Sequence, residues 1–174
     1  MAAIDQQIVQ AFIATGTDPG ANTAQQGKAL EDLVCYIFGL IPGIAITHRN
    51  AMNVFETEEV DVALFNEEIR SLPHIILVEA KNWSNRVTSI EVAWFLTKLQ
   101  NRGLDFGILV TTQGITGNAT ELTAAHAQVA AALAQRRWLI VITTNELLGL
   151  ANTEDLLKLI KTKLCDLAVK GTIV

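Results

Sequence analysis

The sequence predicts one α/β domain, with a mixed β-sheet held between layers of helices. Three observations predict it. Glu58 to Phe65 alternates strictly, and His74 to Lys81 is a near-continuous apolar run, so a half-buried strand precedes a central one. Two further apolar runs, Phe106 to Thr112 and Trp138 to Thr143, are separated by helical patterns. Such a β-α-β arrangement demands parallel pairing with right-handed crossovers. Finally, 174 residues of which 50% are apolar are enough for one core and not comfortably for two, so a single domain over 1–174 is expected.

Taken in order, residues 1 to 20 hold a short helix that ends in the turn signal Thr17-Asp18-Pro19-Gly20. Residues 23 to 39 read as a helix, because Leu30, Leu33, Val34, Ile37 and Phe38 recur at helical spacing and Gly39 stops it. Ile44 to His48 alternates like a strand. In the next strand Val60, Val62 and Leu64 share one face, with Glu59, Asp61 and Ala63 on the other. Asn66 to Leu72 is a polar connector. The helix after Lys81 opens with the capping box Thr88-x-x-Glu91 and closes near Arg102 and Gly103. An alanine-rich helix spans about Asn118 to Gln135. A second capping box, Thr143-x-x-Glu146, follows the last strand, and a final helix covers about Thr153 to Val169. The first three strands can form an antiparallel meander, and the sheet becomes parallel after it.

Composition excludes several function classes. Thirteen Lys+Arg against 18 Asp+Glu give a net charge of −5, which excludes a basic, histone-like DNA coat but not a local basic groove. The mean hydropathy of +0.32 excludes a disordered chain. Cys35 and Cys165 sit in apolar surroundings without Cys-x-x-Cys spacing, so two buried reduced thiols are expected, with neither disulfide nor zinc. No signal peptide is legible and no apolar run is long enough for a bilayer, so no membrane role and a cytoplasmic location are expected. Neither G-x-x-x-x-G-K-[ST] nor G-x-G-x-x-G occurs, so no nucleotide cofactor is expected.

Four residues carry the candidate chemistry. Glu79 and Lys81 end the third strand two residues apart, so they share a face. The connector centres near Ile69, which sets Asp61 opposite Leu77 or Glu79. Either register brings the two carboxylates within roughly 5 to 8 Å. Like charges that close call for a proton, a cation or a metal. Two carboxylates with a backbone carbonyl form a hard-oxygen site of the kind Mg²⁺ uses. A lysine beside it can orient or help deprotonate an attacking water, or stabilise charge on a phosphate. Glu31, in the preceding helix, is the third acid, and Glu59 replaces Asp61 if the register slips by two. The competing reading makes Glu79 and Lys81 a solvated ion pair at a strand end.

The set Asp61, Glu79-Ala80-Lys81 and the upstream Glu31 resembles the PD-(D/E)XK nuclease superfamily. With Asn82-Trp83, the Thr88 to Leu99 helix and the strand through Ile108 to Thr112, it is most similar to the Mrr-type restriction endonuclease catalytic domain. The resemblance covers about residues 23 to 148 and implies a restriction-endonuclease-like three-layer fold. Val60 stands where the family has a proline. The resemblance implies a Mg²⁺-dependent DNA endonuclease, with Mn²⁺ as an alternative metal. Asp61, Glu79 and the Ala80 carbonyl would be metal ligands. Glu31 would bind through water or hold a second metal, and Lys81 would be the catalytic lysine.

Between Lys81 and Arg102 four basic residues (Lys81, Arg86, Lys98, Arg102) face one acid, Glu91. Asn82, Trp83, Arg86 and Lys98 are the candidate DNA contacts, against a solvated helix face and a core tryptophan. Cutting both strands needs two sites, so a homodimer is expected, with targeting from a partner protein or from dimerisation. The alternative function is an inactive nucleic-acid-binding or assembly module of the same fold.

Overall fold

The computed structural model describes residues 2–81, 85–118 and 123–171. Its centre is a five-stranded sheet in the order β1-β2-β3-β4-β5: β1 (Ile44–Met52), β2 (Glu59–Asn66), β3 (Ile75–Lys81), β4 (Phe106–Thr111) and β5 (Trp138–Thr143). β1, β2 and β3 pair antiparallel, whereas β3, β4 and β5 pair parallel. The mixed sheet is the one the strand patterns predict. Helices α1 (Gln6–Thr17), α2 (Thr23–Gly39), α3 (Ser89–Asn101), α4 (Ala125–Ala134), α5 (Thr144–Leu148) and α6 (Thr153–Lys170) flank it. α2 packs on β1, β2 and β3, α3 on β4, and α4 and α6 on β5.

The β2–β3 hairpin matters most for the site, and a single side chain holds its turn. Buried Asn66 donates from Nδ2 to the carbonyls of Ile69, Leu72 and Pro73 at 2.9, 3.0 and 3.2 Å, and its Oδ1 accepts the Ile69 amide at 2.9 Å. These bonds satisfy turn carbonyls that the sheet ladder cannot reach. The strands then run with Val62, Leu64, Ile76 and Val78 almost fully buried.

α3 is positioned by a missing side chain. A Cβ on Gly107 of β4 would stand 2.8 Å from Leu99 Cδ1 and 3.0 Å from the Phe95 ring, so only glycine lets the helix lie this close to the sheet. Val92, Phe95 and Leu99 bury the inner face of α3, and its capping box at Thr88 and Glu91 forms as the sequence predicts.

Three expectations need correction. β1 extends to Met52 rather than His48, because a register irregularity between Ile46 and His48 lets the ladder continue past the break in alternation. The alanine-rich helix begins at Ala125, not Asn118: Ala124 has φ +50°, which no helix interior adopts, and part of the predicted first turn lies outside the described residues. Cys165 is exposed and Cys35 only partly buried, where two buried thiols are expected; both are free. The buried stripe of α6 runs through Leu156, Ile160, Lys163 and Leu167, and Cys165 falls off it. Among the described residues no helix is long and apolar enough to cross a membrane.

Candidate active site

Register brings the two acids together. Val62 pairs with Val78 and Phe65 with Ile75, so the continuing ladder sets Asp61 opposite Glu79, the second of the two registers open from sequence. Glu59 pairs with Met52 and does not take Asp61's place. Asp61 Oδ2 accepts the Ala80 amide at 2.7 Å, which anchors the carboxylate beside its acidic neighbour.

Glu79 is 2% exposed, and a buried carboxylate left alone would be very costly. Two ammonium groups compensate it. Lys81 Nζ lies 2.8 Å from Oε1 along the strand face. Lys98 Nζ, arriving from α3, lies 2.8 Å from both Oε1 and Oε2. Glu79 is thus held from its own strand and from a helix.

Asp61 is left with the weaker compensation. Burial, and then the negative charge of Glu79, push its carboxyl up to about 6, against the smaller pull of the Ala80 amide and the two lysines. Burial pulls the Lys81 ammonium down, but the Glu79 carboxylate, by charge and direct hydrogen bond, outweighs it and leaves Lys81 above the ordinary lysine value. Lys81 therefore stays cationic at neutral pH.

The other candidates are distributed around this centre. Glu31 Oε2 accepts from Asn50 Nδ2 at 3.0 Å and lies 3.9 Å from Arg49. Arg49 pairs with Val62 and Ala51 with Val60, so Asn50 sits beside Asp61 in the ladder and bridges from it toward Glu31. Among the described residues no group of three or more His, Cys, Asp or Glu side chains converges to hold a metal ion. Glu31 is at the edge of the pair rather than within it. Lys98 is 6% exposed and turned onto Glu79, not out on a solvated helix face. Arg102 Nη1 meets Glu58 at 2.6 Å, so the basic segment is largely matched by acids of the same fold. Arg86 is exposed and lines a cavity at the ends of β4 and β5. Asn82 and Trp83 lie outside the described residues.

A family model, Mrr_cat, described as restriction endonuclease, matches residues 24–150, about three-quarters of the chain. The chain belongs to this family. No curated protein matches it significantly. As a Mrr-type restriction endonuclease domain it carries the family's mixed sheet, and its matched span includes Glu31, Asp61, Glu79 and Lys81.

The donor set of this Mrr-type domain fits a hard divalent cation. Asp61 and Glu79 are adjacent carboxylates, and burial together with the Glu79 charge raises the Asp61 carboxyl despite the opposing pull of Lys81 and Lys98. Asp61, Glu79 and the Ala80 carbonyl would hold such an ion, with Glu31 at the margin. The ion would supply Lewis-acid polarisation of a phosphoryl oxygen. Lys81 presents a fixed positive charge at the mouth of the pair, suited to orienting a water or balancing charge on phosphate. Lys98 is a positioning residue, because it touches Glu79 and is buried behind it.

Sequence reasoning missed Asn50 and the inward turn of Lys98. Asn50 has φ +48°, a left-handed conformation that asparagine tolerates better than most residues, and its place after His48-Arg49 was the only available signal. Nothing local in the sequence distinguishes Lys98 from a surface lysine.

Proposed function

We propose that this chain is a divalent-metal-dependent DNA endonuclease that hydrolyses phosphodiester bonds. The observation that carries the proposal is the Asp61–Glu79 pair, Glu79 buried and Asp61 partly so, with Lys81 bound to Glu79 at 2.8 Å. Asp61, Glu79 and Ala80 hold Mg²⁺ or Mn²⁺, with Glu31 joining through water or a second ion. Lys81 orients the attacking water. Asn82, Trp83 and Arg86 meet the DNA. The chain acts as a cytoplasmic homodimer, one site per strand, with a partner protein for targeting, and residues 1–174 form a single domain.

A second reading has one observation in its favour. Glu79 is satisfied by two lysines without a metal, as in a binding module that no longer cuts. Nicking of supercoiled plasmid separates the two. The endonuclease produces nicked circles with Mg²⁺ or Mn²⁺, none with chelator, and none from Lys81→Ala. A wild-type chain inert on plasmid, branched and modified DNA in both metals is a binding module.

A further inference from the structure

We infer that the cavity at the carboxyl ends of β4 and β5 is a nucleotide subsite that takes one base-plus-phosphate unit of the DNA strand, with Arg86 on its phosphate and Gln113 on its base. The inference rests on the nuclease reading for the strand, but not for the nucleotide chemistry.

Position is the first argument. Lys81 pairs with Thr111, and Thr111 pairs with Thr143, which lines the cavity. Two strand spacings of about 4.8 Å separate Lys81 from Thr143, roughly 10 Å. That separation is within a few nucleotides of the proposed scissile phosphate on one strand. The cavity measures about 610 Å³, within the usual size of small-ligand pockets. It also lies outside the carboxyl ends of parallel strands, where open α/β sheets bind ligands.

The walls are built rather than incidental. Val87 forms a short parallel bridge with Ile115: its amide donates to the Gly114 carbonyl at 2.9 Å, and its own carbonyl accepts the Thr116 amide at 2.8 Å. Both Val87 and Ile115 are buried, so neighbouring Arg86 is tied to the Gln113 loop. A Cβ at Gly117, where φ is +103°, would lie 2.1 Å from the Thr123 carbonyl, so only glycine allows this close approach.

Chemistry is the second argument. Buried Lys163 meets Glu146 Oε1 at 2.7 Å, while Glu146 Oε2 accepts the Thr143 amide and hydroxyl at 2.7 and 3.0 Å. The acid of the wall is therefore matched within the wall. Arg86 brings a guanidinium, whose planar fork suits phosphate. Gln113 offers both a donor and an acceptor for a base edge. His126 is held below the ordinary imidazole value by burial and by Arg86, so it presents a neutral ring at pH 7.

The test is a titration of isotope-labelled full chain in chelator, followed by amide shifts, with thymidine 5′-monophosphate and with a twelve-residue oligothymidylate. Both ligands are expected to move Gly114 and Gly117. The oligonucleotide is expected to move Ala80 as well and to bind at least tenfold tighter. Arg86→Ala and Gln113→Ala are each expected to weaken both ligands at least fivefold while leaving the remaining amides in place. No shift at Gly114 and Gly117, or unchanged affinity in both variants, overturns the subsite. Loop shifts with the monophosphate alone overturn its assignment to the strand and leave a free-nucleotide site. Because no metal is present, a chain that fails to nick plasmid can still pass, which separates failure of the nuclease reading from failure of this one.

Discussion

Lys98 Nζ lies 2.8 Å from both carboxylate oxygens of Glu79, in a part of the structure where neither side chain is more than 8% exposed. Two lysines thus share one acid but differ in setting: the Lys81 side chain is 26% exposed and the Lys98 side chain 8%.

That difference separates their variants. Removing one partner of a buried ion pair leaves an uncompensated charge and costs about 3 kcal/mol or more. Lys98→Met is expected to lower the stability of the metal-free chain by about that much. Lys81→Met removes the more exposed partner and is expected to cost about 1 kcal/mol while abolishing nicking. Urea melts of both variants in chelator check the order, and equal losses would contradict it.

Asp61 predicts an unusual pH dependence. Its carboxyl titrates near 6 in the fold and near 3.9 in an unfolded chain. Between those values the folded state keeps a proton that the unfolded state has released. Stability of the metal-free protein therefore falls as pH rises from about 4 to about 6, by roughly 2 to 3 kcal/mol. Asp61→Asn mimics the protonated acid and can still accept the Ala80 amide. The variant is expected to lose that fall and to be more stable than wild type at pH 8 in chelator. A wild-type slope in the variant would assign the titration elsewhere.

The hairpin turn predicts a variant that harms the fold and spares the chemistry. Asn66→Ala deletes four hydrogen bonds and leaves the Leu72 carbonyl buried without this donor. A loss of about 2 to 3 kcal/mol is expected, with metal-dependent nicking retained at low temperature. Thermal melts and nicking at 10 °C and 37 °C measure both halves.

Much of this was legible because strand periodicity is strict. Period-two spacing alone places Glu79 and Lys81 on one face, and the connector length brings Asp61 to within one register of Glu79. The turn itself was read only as polar, since nothing in Asn66 announces that its side chain will bind three carbonyls. Tertiary burial hid Lys98, whose inward turn follows from its contact with Glu79 on β3 and not from local sequence. The alanine-rich pattern predicts a longer helix than the one observed, because alanine favours helix everywhere and no side-chain cap marks the start at Ala125. Cys165 was read as buried from apolar neighbours, whereas burial on α6 follows the helical stripe through Lys163 and Leu167.

Asp61 and Glu79 are proposed to form a divalent-metal site. Calorimetric titration of Mn²⁺ into the wild-type chain and into Asp61→Asn tests it most directly, because the variant is expected to keep the fold. Saturable binding by wild type that disappears in Asp61→Asn is expected. Equal binding by both proteins, or no binding by wild type at millimolar Mn²⁺, would contradict it.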